Sequence, residues 1–306
     1  IMGNDTVNGT DGCWWWHYQP TDWKIGNYQL SPLPEEDKDD RAKMAQNGRE
    51  EFKAMCDEAD KYGIKVIVDV IPNHVTPDLD EVSQDLYDAV GGRDALFHEN
   101  GFREIQDSGD WSWGNRLACT SGMMGGLPDV NTENPAFQKY FLNYLNDLIE
   151  CGADGFRYDT AKHIAVPSDP KDPRSPRNNF WPVVTGKESV DGVTLKDADR
   201  IFNYGEVLQG DNVPETEYAQ YIRMTASSYG YVLRDAVQNK NFSVNNIMNW
   251  QHSAPDSLVT WVESHDTYCN EGESTGLSKT QIRLAWAVIA ARADGTPLFY
   301  SRPNNS

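Results

Sequence analysis

The chain has 306 residues, which suits one large domain with an inserted segment, and 39% of them are hydrophobic, which excludes global disorder. The formal net charge of −20 disfavours nucleic acid as a partner, because so acidic a surface repels phosphate. No run of about 18 apolar residues occurs, so the sequence predicts no membrane span.

The predicted elements alternate between helices and apolar strands. A helix covers residues 49–62, where apolar residues recur at helical spacing, and Gly63 ends it. The continuous apolar run 64–71 is typical of a strand buried on both faces of a parallel sheet. Residues 75–133 show little periodicity, and a loop of this length indicates a subdomain of its own or a functional segment.

The second half of the chain continues this pattern. Asn134 and Pro135 open a strong helix that Gly152 ends. Further strands are predicted at 153–158, 201–205, 258–264 and 296–301, with a short one at 225–227, helical segments within 215–250, and a helix that a Ser278–Gln281 capping box opens and that ends near Arg292. Such alternation favours a parallel α/β fold, in which polar groups at the carboxyl ends of strands form the site.

The five cysteines match no zinc-binding spacing. Cys56 and Cys151 lie on apolar helix faces, so we predict that both are buried thiols. The others are Cys13, Cys119 and Cys269. Because the count is odd, at least one cysteine has no disulfide partner within the chain.

Four predicted strands end in residues that carry chemistry. They are Asp69 followed by Asn73 and His74, Arg157 with Asp159, Glu206, and His265 with Asp266. Carboxylates alone would also suit a metal site, but Arg157 shares a strand face with Asp159 and would keep it ionised. An ionised carboxylate beside a carboxyl that can hold a proton suits glycoside hydrolysis, although any one of these residues alone could form a structural ion pair.

Six segments, in the same order along the chain, resemble signature regions of glycoside hydrolase family 13, the α-amylase family, and in particular a bacterial-type α-amylase catalytic domain. The segments are WWWHYQP (14–20), VDVIPNH (68–74), LPDVN (127–131), GFRYDTAKH (155–163), GEVL (205–208) and VESHD (262–266). The resemblance implies a (β/α)8 TIM barrel, truncated at both ends so that it lacks the first two strands and the last helix. It assigns 1–74 and 134–306 to the partial barrel and 75–133 to a B subdomain inserted after the third strand, while 31–47 matches no region of the family.

The resemblance implies retaining endo-hydrolysis of α-1,4 bonds in starch, maltodextrins and related α-glucans by double displacement. Asp159 matches the nucleophile, Glu206 the acid/base and Asp266 the carboxylate that stabilises the transition state. The two carboxyl groups of a retaining pair are expected about 5–5.5 Å apart. The residues implied in substrate binding are Arg157, which also orients the nucleophile, Asp69, His74, His265, Tyr18 as a stacking platform, Trp15, Gln19, Lys162 and His163.

A structural calcium ion is also implied by the resemblance. Its ligands would be Asn73, Asp129 and the backbone carbonyl of His163, all of them the hard oxygen donors that calcium prefers. The alternative is that Asn73 and Asp129 only cap a turn and a helix. Ser264 stands where chloride-dependent members carry Asn, so we expect no chloride requirement.

Three alternatives stay open at this point. The first is a transglycosylase or maltogenic enzyme of the same family, and the second is a non-catalytic glucan-binding protein, which the three retained carboxylates argue against. The third is an inactive fragment, because a parallel barrel without two of its strands exposes two edges. We expect a monomer that is secreted as part of its full-length parent, although no signal peptide is visible in this chain.

Overall fold

The computed structural model describes residues 2–3, 17–26, 40–240, 243–247 and 250–302. The chain divides into two compact units, Ile1–Asn203 and Tyr204–Ser306. The strands are β1 (Met2–Gly3), β2 (Pro20–Asp22), β3 (Ile67–Val70), β4 (Gly155–Tyr158), β5 (Phe202–Gly205), β6 (Arg223–Thr225), β7 (Leu258–Trp261) and β8 (Thr296–Leu298). The α-helices are α1 (Arg41–Lys61), α2 (Gln84–Val90), α3 (Arg93–Leu96), α4 (Arg116–Ser121), α5 (Pro135–Glu150), α6 (Phe180–Val184), α7 (Glu215–Tyr218), α8 (Ser227–Asn239), α9 (Val244–Ile247) and α10 (Lys279–Ala290).

Two long helices, α1 and α5, belong to the first unit. Helix α1 begins at Arg41 because the side chain of Asp40 accepts hydrogen bonds from the next N–H groups, those of Ala42 and Lys43, each at 3.1 Å. The prediction that this helix starts at residue 49 was therefore wrong. Helix α5 begins where the sequence predicts, since the Asn134 side chain accepts from the N–H of Ala136. Its apolar face is buried through Phe137, Phe141, Tyr144, Leu145 and Leu148.

Strands β3 and β4 of the first unit run parallel and set the positions of several polar residues. In this register Asp69 lies opposite Arg157. The N–H of Asp159 donates to the carbonyl of Val70 at 2.9 Å, which continues the pairing one residue beyond β4. Because alternate residues of a strand point to the same side, the side chains of Arg157 and Asp159 share one face.

The segment 75–133 holds α2, α3 and α4, none of which the sequence predicts. These helices have only four to seven residues, too few to show a helical period. Short antiparallel bridges join His74 to Asp129 and Phe97 to Val130, so the two ends of the segment lie side by side. Its assignment as a separate B subdomain stays a prediction.

The second unit holds β6, β7 and β8 in parallel, and residues 204–205 of β5 pair in parallel with β6. Strand β6 ends at Thr225, where the predicted short strand was expected to begin. The predicted capping box is present at the start of α10, between Ser278 and Gln281. None of the helices in the described ranges is long and apolar enough to cross a membrane.

The described cysteines are all free thiols. Cys56 and Cys151 are buried, as the sequence predicts, and Cys119 is buried too, whereas Cys269 is exposed. Burial, with a smaller contribution from Cys151, raises the pKa of the Cys56 thiol to about 11. Cys13 lies outside the described residues.

Candidate active site

The centre of the first unit's site is an arginine shared by two carboxylates. Arg157 Nη1 donates to Asp159 Oδ1 at 2.5 Å and to both carboxylate oxygens of Asp69, at 2.9 and 3.1 Å. Asp159 is only 5% exposed. The predicted pairing of Arg157 with Asp159 is therefore present, and Asp69 is a second partner of the same guanidinium.

Tyr18 and His74 extend this cluster. The Tyr18 hydroxyl donates to Asp69 Oδ2 at 2.7 Å, and the Arg157 guanidinium carbon lies 5.9 Å from the centre of the Tyr18 ring. Burial and the neighbouring charge of Asp69 raise the pKa of the Tyr18 phenol, so it remains a hydrogen-bond donor at neutral pH. His74 Nε2 lies 2.8 Å from the backbone carbonyl oxygen of Tyr18. Four residues implied in substrate binding are thus joined by direct contacts, and one of them, Arg157, joins this cluster to Asp159.

The backbone next to Asp159 has an uncommon conformation. Thr160 has φ 47°, in the left-handed region, which β-branched residues rarely adopt. A 3₁₀ turn, Ala161–His163, follows directly. Such conformations persist where the surrounding structure enforces them, and they concentrate at functional sites.

Lys162 and His163, which the resemblance places near the sugar, are buried in this turn. Arg116 of α4 donates through Nη1 to the carbonyl of Lys162 at 3.2 Å. His163 Nδ1 lies 2.8 Å from the carbonyl oxygen of Cys119, and the Trp113 ring meets the imidazole edge-on with 5.5 Å between the ring centres. The sequence gives no signal for Arg116 in this role, because it lies in the segment without periodicity.

The three residues implied in calcium binding, Asn73, Asp129 and His163, are all buried. The N–H of Val130 donates to the Asn73 carbonyl at 2.8 Å, which brings the end of β3 beside the LPDVN segment. Asp129 Oδ1 is buried and has no hydrogen-bond partner among the described residues. Burial, offset in part by the hydrogen bond to His98, raises the pKa of the Asp129 carboxyl to about 7.

Across the described ranges, no group of three or more His, Cys, Asp and Glu side chains has the geometry of a metal site. The implied calcium set contains only one side chain of those types, Asp129. Its other members are an amide, Asn73, and the backbone carbonyl of His163, so the ion stays a prediction.

In the second unit Glu206 follows β5 directly, and Asp266 opens a π-helical turn, Asp266–Asn270. His265 Nε2 lies 3.5 Å from Asp266 Oδ2. Single π-helical turns are rare and occur often at functional sites. Burial and the charges of Glu273, Asp266 and Glu206 raise the pKa of Glu271, so both predicted catalytic carboxylates of this unit lie within electrostatic reach of it.

The segment 262–266 is held by two arginines that the sequence does not reveal as site residues. Arg302 makes a two-point ion pair with the buried Glu263, with Nε–Oε1 at 3.0 Å and Nη2–Oε2 at 2.9 Å. Its guanidinium carbon also lies 4.6 Å from the centre of the Tyr268 ring. Arg234 donates to the carbonyl of Val262 at 2.9 Å. The one signal in the sequence was Glu263 itself, because a carboxylate inside an apolar strand needs a cation.

Two predicted substrate-binding residues gain little from the structure. Gln19 is partly exposed, and Trp15 lies outside the described residues. The separation of Asp159 and Glu206, and the catalytic roles of these residues, stay predictions.

Comparison with known proteins gives a family and a fold. The family model described as "Alpha amylase, catalytic domain" matches residues 44–301. An α-amylase of Butyrivibrio fibrisolvens is 45% identical over 98% of this chain and 30% of its own length, and one of Clostridium acetobutylicum is 32% identical over 100% of this chain and 36% of its own length. The chain therefore spans about a third of these curated relatives.

Among solved structures, α-amylase I of Eisenia fetida has a TM-score of 0.64 at 22% identity, over 95% of this chain and 58% of that protein. At this identity the likeness concerns the fold alone. Together with the parallel pairing of β3 with β4 in the first unit and of β5 through β8 in the second, it confirms the predicted fold class, a truncated (β/α)8 TIM barrel.

Proposed function

The chain belongs to the α-amylase catalytic-domain family, and on this premise we propose that it carries the active site of an α-amylase, a retaining glycoside hydrolase that cuts internal α-1,4 bonds of starch and related α-glucans. The observation that carries the proposal is the Arg157 guanidinium shared by Asp69 and Asp159 at the ends of β3 and β4. Such a site keeps a buried carboxylate ionised and oriented, as a nucleophile requires.

Catalysis proceeds by two displacements at the anomeric carbon. In the first, an oxygen of Asp159 bonds to this carbon while Glu206 gives its proton to the departing glycosidic oxygen. In the second, Glu206 takes a proton from water, and the water oxygen replaces the Asp159 ester. Arg157 holds Asp159 Oδ1 at 2.5 Å, which fixes the plane of the carboxylate before attack.

The remaining predicted residues bind the sugar. Asp266 stabilises the oxocarbenium-like transition state, and the neighbouring His265 donates to a sugar hydroxyl. His74 acts in the same way from the end of β3, while Tyr18 presents its ring to the sugar and keeps its hydroxyl on Asp69.

A structural calcium ion fits the residues that the resemblance implies. Asn73, Asp129 and the His163 carbonyl are oxygen donors, and the buried Asp129 Oδ1 lacks a partner among the described residues, as a ligand atom without its cation would. The ion would hold the LPDVN segment to the end of β3 and to the turn after β4. That role is structural, because no catalytic carboxylate belongs to the set.

The proposal is tested by the release of reducing ends from soluble starch. Asp159→Asn keeps the size of the side chain but removes the nucleophile, so we expect nearly all turnover to be lost, and Glu206→Gln should lose about 10²–10⁴-fold. Asp85→Asn, an identical change at an exposed aspartate paired with Lys24, is the matched control and should keep full turnover.

Three results would contradict the proposal. The first is normal turnover by Asp159→Asn. The second is starch binding without any turnover by the full-length parent, which would indicate a glucan-binding protein. The third is a product mixture dominated by transfer rather than hydrolysis, which would indicate a transglycosylase.

A further inference from the structure

His98 lies between two buried carboxylates in the first unit. It is 1% exposed, its Nδ1 lies 2.6 Å from Asp129 Oδ2, and its Nε2 lies 2.7 Å from Glu133 Oε2. Neither the family motifs nor the catalytic steps proposed for Asp159 and Glu206 involve this histidine. The imidazole therefore joins the carboxylate implied in calcium binding to a second carboxylate behind it.

The second carboxylate is firmly anchored. Glu133 Oε1 accepts from the hydroxyl of Thr132 at 2.9 Å, and Oε2 accepts from the hydroxyl of Ser175 at 3.4 Å. A neutral imidazole can donate through only one nitrogen, so a ring with a carboxylate at each nitrogen favours the doubly protonated form.

In this arrangement one carboxylate oxygen of Asp129 is hydrogen-bonded and the other is not. Oδ2 is taken by His98, whereas Oδ1 is buried without a partner among the described residues. A buried acceptor without a hydrogen bond is unfavourable, and more so when it is charged. The histidine thus fixes the rotation of the carboxylate and presents Oδ1 as a single ligand atom.

We infer that His98 is a positioning residue for the calcium ion of the proposed function: it holds Asp129 through Oδ2, is itself held by Glu133, and so orients Oδ1 towards the cation. The inference rests on the calcium part of that proposal. Residues that orient a metal ligand change metal affinity about 10–100-fold when they are replaced. His98 should therefore govern calcium affinity without touching the ion.

The test uses two substitutions that each keep one of the two hydrogen bonds of His98. In His98→Asn the amide nitrogen stands near the position of Nδ1 and can still donate to Asp129. In His98→Gln it stands near Nε2 and can still donate to Glu133. Both remove the imidazole from the same buried place, so a merely structural role would make them equivalent. His252→Gln, at a half-buried histidine of the second unit whose Nε2 pairs with Glu215, is the matched control.

Calcium chloride is titrated into the EDTA-treated proteins by calorimetry, and Tm is measured with EDTA and with calcium. We expect His98→Gln to weaken calcium binding about 10–100-fold and to lose most of the calcium-induced rise in Tm. His98→Asn should bind within a few-fold of the unchanged protein, as should His252→Gln. If either His98 variant fails to fold, Glu133→Gln is measured in its place. We expect this variant to bind calcium more weakly, because the carboxylate that holds His98 Nε2 loses its charge.

Three results would overturn the inference, and they are distinguishable. If the unchanged protein binds no calcium, the calcium part of the proposed function fails and the inference fails with it. If the unchanged protein binds calcium but His98→Gln and His98→Asn bind it equally well, only the inference fails. An equal loss of Tm in both variants, with and without calcium, would assign His98 a structural role alone.

Discussion

Replacing Arg116 with alanine removes a buried ion pair that joins α4 to the loop after β4. Arg116 Nε and Nη2 donate to the two carboxylate oxygens of Asp169 at 2.9 and 2.7 Å, and Nη1 donates to the carbonyl of Lys162 at 3.2 Å. The two charged side chains are only 9% and 3% exposed. In Arg116→Ala the carboxylate of Asp169 would stay buried. Among the contacts that the structure describes, the N–H of Val166 would be its remaining hydrogen-bond donor.

The size of the expected loss in unfolding free energy follows from that buried charge. Removing one partner of a buried ion pair costs about 3–5 kcal/mol, because the other charge is left uncompensated. A unit of this size loses about 2–4 °C in Tm for each kcal/mol, so the expected fall is about 6–20 °C. Replacing both partners, in Arg116→Ala with Asp169→Ala, should cost less than the sum of the two single changes, by about 0.5–3 kcal/mol.

Urea unfolding followed by tryptophan fluorescence measures these free energies. Arg174→Ala is the matched control, because this exposed arginine donates to the carbonyls of Asp94 and Phe97 and should cost only about 0.5–1.5 kcal/mol. A loss of unfolding free energy in Arg116→Ala no larger than in Arg174→Ala, or a double-mutant cycle without coupling, would contradict a buried ion pair that stabilises this unit.

Two further predictions concern cysteine reactivity and pH. Iodoacetamide at pH 8 should label the exposed Cys269 in the native protein but not Cys56, because Cys56 is buried and its pKa is raised to about 11. Peptide mass spectrometry measures the labelling of each cysteine. Rapid labelling of Cys56 would contradict this prediction. Glu271 has a folded pKa raised above its unfolded value, so the folded state binds more protons and this group lowers stability as the pH rises above about 4.5. Glu271→Gln should therefore raise Tm at pH 7 and leave it unchanged at pH 3. An equal change of Tm at both pH values would contradict a raised pKa of Glu271 as the cause.

The sequence predicts the long elements well, because their apolar residues repeat over several turns. Helix α5 has both an apolar stripe and an Asn134 cap, and it begins where the pattern places it. Helix α1 begins earlier than predicted because Met44 is the one large apolar residue of its first two turns, too few to show a helical period, so only Asp40 as a cap could have marked the start. The helices of the 75–133 segment are too short for any period to show.

The candidate site likewise contains residues that the sequence could pair and residues that it could not. Arg157 and Asp159 could be paired from the sequence, because a strand places residues two apart on one face. The second partner of Arg157, Asp69, depends on the register of β3 against β4, which no local pattern gives. His98 and Arg116 lie still further beyond sequence reasoning, since their partners are 31 and 53 residues away along the chain.

In the proposed mechanism Asp159 forms a covalent bond to the sugar, and trapping that intermediate is the direct test of this step. A fluorinated α-glucosyl fluoride that is attacked quickly and hydrolysed slowly is added to the protein, which is then digested and analysed by mass spectrometry. We expect one added sugar on the peptide that contains Asp159, and none on this peptide in Asp159→Asn. A sugar on a different carboxylate, or an unlabelled Asp159 in protein that still degrades starch, would contradict it.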